Sequence, residues 1–155
     1  MREQRRGRRI AMSPEERDAF LGSQRTCRIA SVGADGAPHT SALWYVWDGE
    51  AFWLYSIVRS QRWANLMRNP RVSVLVDAGH DYFELQGVEL LGEVEQVGEA
   101  PRGTDPVPAL ETPERLFGAK YGGGPFAADG RHAWLRLVPQ KIVSWDFTKL
   151  ASLGD

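Results

Sequence analysis

Residues 26–57 read TCRIASVGADGAPHTSALWYVWDGEAFWLYSI. Two Asp-Gly pairs, Asp35-Gly36 and Asp48-Gly49, separate three runs rich in apolar, β-branched and aromatic residues. Asp-Gly between such runs is a hairpin signal, because glycine takes the positive φ that a tight turn demands. The spacing predicts strands over 26–33, 38–47 and 51–57, joined as an antiparallel meander.

Upstream of this stretch lies Ser13-Pro14-Glu15-Glu16. Ser13 can cap, Pro14 suits the first turn and Glu16 completes a capping box, so a helix is predicted from Ser13 to about Gly22. Downstream, Ser60 opens a short helix over 60–69, SQRWANLMRN, with Trp63, Leu66 and Met67 on one face. Pro70 ends it. Residues 71–78, 81–86 and 87–97 predict three more strands, and 98–112 a surface loop. A helix follows Thr112-Pro113 to Tyr121 and is stopped by Gly122-Gly123-Gly124-Pro125. Residues 132–138 and 141–147 predict the closing strands around Pro139. About eight strands and three short helices favour a mainly β barrel or sandwich over a parallel βαβ sheet. A six-stranded or larger antiparallel barrel fits within one domain.

The chain has 155 residues, enough for one domain with a real core. With 43% hydrophobic and 25% charged residues, it is not a disordered chain. No apolar run reaches the roughly 18–20 residues of a membrane span, and no apolar stretch of a secretory signal follows the N-terminus. A cytoplasmic location is the default. The single cysteine, Cys27, excludes an intrachain disulfide framework and a Cys-based zinc site. The net charge of -1 conceals a basic start, REQRRGRR over residues 2–9. Residues 1–12 are expected as a flexible basic arm and 13–155 as a single domain. No second basic stripe accompanies the arm, so neither nucleic acid nor a membrane is expected as a partner.

The histidines, His39, His80 and His132, share no metal-ligand spacing, and no metal site is expected. There is no phosphate-binding P-loop, no Gly-x-Gly-x-x-Gly and no Gly-x-Ser-x-Gly elbow. One constellation stands out. Ser56-Ile57-Val58-Arg59-Ser60-Gln61-Arg62 joins a strand end to a helix start, where free N–H groups, a hydroxyl, an amide and cations suit an anion. The same residues also read as a plain helix cap with solvated arginines. Six tryptophans read equally as core packing or as stacking walls for a flat ligand.

The order of motifs decides more than any one of them. Asp35-Gly36-Ala37-Pro38-His39, Leu43-Trp44-Tyr45, Asp48-Gly49, Ser60-Gln61-Arg62, Asn65 to Val74, Gly87-Val88 and Gly92-Glu93 follow one another, with Val143 to Phe147 near the end. This order resembles the split-barrel flavin and deazaflavin oxidoreductases, the pyridoxamine-5'-phosphate-oxidase-like family. The resemblance implies a six-stranded antiparallel split barrel of the FMN-binding type. It also implies a homodimer with cofactor sites at the subunit interface, and either FMN or the deazaflavin coenzyme F-420. The cofactor phosphate is implied at Ser56, Ser60, Gln61 and Arg62. Its ring is implied along His39, Thr40, Ser41 and Leu43, with Trp44 beside them and Asn65 one turn into the helix. His39 and Tyr45 are the nearest candidates for a catalytic proton donor, and Trp145 is a candidate cover for the ring. The implied reaction is hydride transfer between the cofactor and a small, electron-poor organic substrate. Two alternatives stand beside it: FMN or haem binding without turnover, and oxidation of pyridoxamine phosphate. The oxidase proper commonly has Ser-Arg-Lys where this chain has Ser60-Gln61-Arg62, which weighs against the second.

Overall fold

A computed structural model describes residues 1–153; the last two residues of the expected domain lie outside the described residues. Three α-helices, α1 (Pro14–Ser23), α2 (Gln61–Arg68) and α3 (Glu111–Tyr121), accompany seven strands. These are β1 (Thr26–Val32), β2 (Pro38–Trp47), β3 (Phe52–Ile57), β4 (Arg71–Ala78), β5 (Gln86–Val97), β6 (His132–Leu137) and β7 (Lys141–Asp146).

Both Asp-Gly pairs turn hairpins. Val32 pairs with Pro38 across the first and Trp47 with Phe52 across the second. Gly36 and Gly49 take φ of 82° and 97°, and the carboxylates of Asp35 and Asp48 accept backbone N–H bonds inside each turn. Ser13 caps α1 in a complete capping box with Glu16.

The strands close on themselves. Neighbours run β1–β2–β3–β6–β5–β4 and back to β1, all antiparallel, which makes a six-stranded barrel. β7 is the seventh strand. Gln86–Leu91 of β5 pair with β7, while Val94–Val97 of the same strand pair with β6. β6 and β7 are thus two segments of one line along β5, broken at Val138-Pro139-Gln140. Gly92 faces that break; a Cβ there would lie 2.8 Å from the Leu137 side chain and 3.2 Å from the Val138 carbonyl.

The barrel interior is filled by residues such as Ile29, Tyr45, Leu54, Val74, Leu90 and Leu135, all fully buried. A second cluster lies outside the barrel wall, where Val46, Trp53, Tyr55 and Trp134 are covered by Leu110 and by Leu116, Phe117 and Tyr121. This second cluster positions the candidate site.

One segment differs from expectation. Residues 81–86 do not form a strand; Tyr82–Glu84 is a single 3-10 turn. Its aromatic residues look strand-like, but Glu84 turns back to accept from the Asp81 N–H at 3.2 Å. Gly79, at φ 105°, packs so closely on Glu84 that a Cβ would meet its carbonyl oxygen at 2.5 Å. Local capping overrides β propensity here, so the described residues hold seven strands. The N-terminal residues lie along β7. The Arg2 N–H donates to the Gln140 carbonyl at 2.7 Å, and the Gln4 side chain bonds both the N–H and the carbonyl of Ser144, at 2.9 and 3.1 Å. Among the described residues, no helix is long and apolar enough to cross a membrane, and no group of three His, Cys, Asp or Glu side chains could hold a metal ion.

Candidate functional site

The junction of β3 and α2 is built by Ser60. Its oxygen accepts from the Trp63 N–H at 3.1 Å and its hydroxyl donates to the Ile57 carbonyl at 2.7 Å. Ser60 is therefore the helix cap. Capping in this register turns Trp63 and Leu66 into the barrel core and buries Arg62 and Asn65 beside them. Asn65 donates to Ser31 Oγ at 3.1 Å and accepts from Gln61 at 2.8 Å. Ser60 thus fastens α2 to β3, and Asn65 ties the helix to Ser31 and to Gln61.

Arg62 behaves differently. It is only 8% exposed, and its Nε and Nη1 donate to Ser56 Oγ at 3.0 Å and Ser41 Oγ at 2.7 Å. No carboxylate pairs with it among the described residues. Burial pushes its pKa down. The other buried arginine, Arg102, is clasped by Glu114 at 2.8 Å, by Glu99 and by the Asp105 carbonyl. Burying a cation without a counter-ion costs several kcal/mol, so Arg62 is a standing attraction for an anion.

Arg62 opens on a cavity of about 320 Å³, with Ala42, Leu43, Trp44, Ile57 and Tyr55 around it. Alternation along β2 decides which residues reach it. Thr40, Ala42 and Trp44 lie on the exposed face, and His39, Ser41, Leu43 and Tyr45 on the more buried one. His39 pairs with Ser31 at the strand start, holds a buried Nδ1 without a partner, and lines neither this cavity nor the next. Tyr45 must be corrected as a proton donor. It is fully buried in the barrel core, its hydroxyl donates to the Leu21 carbonyl at 2.6 Å, and burial drives its pKa far up. Trp145 packs flat over Gly87, where a Cβ would sit 2.1 Å from the indole; it covers strand β5. Cys27 is buried, and burial pushes its thiol up to about 12, which leaves it inert.

The cavity continues into a second one of about 370 Å³, which shares Trp44, Tyr55, Phe117 and His132 with the first. Its walls are aromatic. Trp44 stacks on Tyr121 with centroids 4.2 Å apart, and Tyr55 stacks on both His132 and Trp134 at 4.7 Å. The far wall is the loop Gly122-Gly123-Gly124, all at positive φ. His132 Nδ1 lies 2.5 Å from Asp129 Oδ2, and the other Asp129 oxygen accepts the N–H groups of Arg131 and His132. Burial works to raise the Asp129 carboxyl, but those N–H bonds and the imidazole outweigh it and hold its pKa below the ordinary value.

Leu43, Trp44 and Arg62 therefore line one cavity, with Ser41 and Ser56 bonded to Arg62 behind its wall, while His39, Thr40, Tyr45, Ser60, Gln61 and Asn65 do not line it. Sequence reasoning missed Tyr55, Phe117, Asp129 and His132. A signal existed in the Asp129-x-x-His132 spacing, which brings carboxylate and imidazole together across one turn. A family model described as pyridoxamine 5'-phosphate oxidase matches residues 13–146. The chain belongs to the pyridoxamine 5'-phosphate oxidase family. Among solved structures, a conserved hypothetical protein of Mycobacterium tuberculosis is 34% identical, with a TM-score of 0.79 over 96% of this chain and 93% of that one. An F420 reductase is 25% identical, with a TM-score of 0.60 over 81% of this chain and 94% of that one. The haem storage protein HutZ of Vibrio cholerae shares the fold at 20% identity and a TM-score of 0.68, over 87% and 96% of the two chains. No curated protein matches this family member.

Proposed function

We propose that this chain is a flavin- or deazaflavin-dependent oxidoreductase acting on a small, electron-poor organic molecule. The observation that carries this reading is Arg62, a buried cation bonded only to two hydroxyls and facing a cavity with an aromatic wall. Both FMN and coenzyme F-420 join a flat ring to a phosphate, and the donor set fits that combination. The likeness to an F420 reductase supports it. Arg62 would hold the phosphate through charge-assisted bonds, with Ser41 and Ser56 orienting the guanidinium. Trp44 and Leu43 would line the ring. The bound cofactor supplies the hydride. The protein supplies orientation and a site shielded from water.

The working form we infer is a homodimer with the cofactor at the subunit interface, as the family resemblance implies. The exposed face of Thr40, Ala42 and Trp44 leaves room for a second subunit against the ring. A cytoplasmic setting suits the single reduced, buried cysteine.

The test is a parallel titration with FMN and with F-420, read by quenching of tryptophan fluorescence. Tight binding of one, weakened at least tenfold by Arg62→Ala, supports the reading. Failure of both to bind at micromolar concentration overturns it. Sedimentation of the loaded protein at twice the chain mass supports the dimer, and a monomer refutes it.

A further inference from the structure

We propose that the cavity beyond Trp44 binds a planar aromatic molecule carrying a neutral hydroxyl, which donates a hydrogen bond to His132 Nε2. As the substrate seat this rests on the oxidoreductase reading; as a binding site it stands on its own.

Three features carry it. The walls are π faces and edges: Trp44, backed by Tyr121, with Phe117 and Phe126 on the other sides and Tyr55 beneath. Such walls favour a flat apolar body. Asp129 fixes the imidazole. Its carboxylate, held ionised, takes the Nδ1 hydrogen and leaves Nε2 as the acceptor in the neutral ring. Among the described residues no protein group bonds Nε2. The charge balance selects a neutral ligand. Among the described residues Asp129 is the only carboxylate on this cavity, and no lysine or arginine lines it. Arg62 belongs to the adjoining cavity, and Arg25 lies against the Trp44 ring, 5.6 Å from its centroid, without lining the cavity. An ionised phenolate would face the Asp129 charge without compensation.

The test uses 2-naphthol and 2-methoxynaphthalene on the cofactor-free protein by calorimetry at neutral pH. The two rings match, but only naphthol has a hydroxyl donor. The unmodified protein is expected to prefer naphthol by roughly three- to tenfold, the value of one net hydrogen bond. His132→Phe keeps an aromatic ring and is expected to erase the preference while both ligands still bind. Equal affinities on the unmodified protein overturn the proposal, as does a preference that survives His132→Phe. The ligand pair keeps the test decisive even if the variant fails to fold. Lost naphthol preference beside intact cofactor binding defeats this inference alone. Retained preference with neither cofactor binding defeats the oxidoreductase reading alone.

Discussion

Replacing Arg62 by methionine would remove a buried guanidinium that has no counter-ion and keep most of its packing stem. An apolar replacement of an uncompensated buried charge is neutral or stabilising. Arg62→Met is therefore expected to hold or raise Tm while cutting FMN or F-420 affinity at least tenfold. A sharp fall in Tm would show that the charge serves the fold. Asp129 makes a second prediction, through pH. Its folded pKa lies below the ordinary value, so its ionised form contributes stability fully above about pH 4. That contribution is lost as pH falls through the lower folded pKa. The Tm difference between the unmodified protein and Asp129→Asn should shrink between about pH 5 and pH 2. A constant difference would refute the depression. At this scale the sequence was only half readable. Ser56 and Arg62 stand in the strand-to-helix constellation, and Ser41 comes only with the family resemblance. Their division from Ser60 and Asn65 depends on which hydroxyl a helix cap consumes, and that is three-dimensional. The tryptophans tell the same story. Trp47 and Trp53 donate to Asp18 and Asp48. Trp63 and Trp134 are buried and Trp145 covers Gly87. Trp44 alone lines the cavities.

Elements with local signals were legible almost to the residue. β1, β2, β4 and α2 lie within a residue or so of where turns, caps and Pro70 place them. The 3-10 turn at Tyr82–Glu84 was not, because one side-chain cap outweighs three strand-like residues. The Gly122–Gly124 segment was legible as a helix stop and invisible as a cavity wall. Its return over α3 depends on Gly118, where a Cβ would stand 2.6 Å from the Gly124 carbonyl oxygen. Gly118→Ala must push that loop outward. It is expected to cost about 1–3 kcal/mol by overpacking and to weaken aromatic ligands in the adjoining cavity. Thermal unfolding and the naphthol titration read the two effects. An unchanged affinity would mean that the loop does not shape the cavity.

For the whole molecule, strand count and turns leave a barrel or a sandwich open, and only the family resemblance implies the closed barrel; the pairing of β3 with β6 has no signal at all. No local signal links strands so far apart in sequence. The N-terminal residues extend the β7 side of the sheet rather than only presenting charge. Gln4→Ala removes two bonds to the Ser144 backbone. It is expected to cost about 1–2 kcal/mol. A Tm equal to that of the unmodified protein would show that this edge contact contributes nothing.

The seam between β3 and β6 also sets a timetable. A chain emerging from the ribosome completes β1, β2 and β3 early, yet the free edge of β3 waits until residues 132–137 have been made. Contacts of such long sequence separation form late and slowly. Ile57 pairs with His132, and Tyr55 stacks on its ring. The cavities straddle this late-made junction. A nascent or truncated chain that stops before residue 132 can hold the hairpins and still lack a binding site. The cavities and the closure of the barrel therefore arrive together.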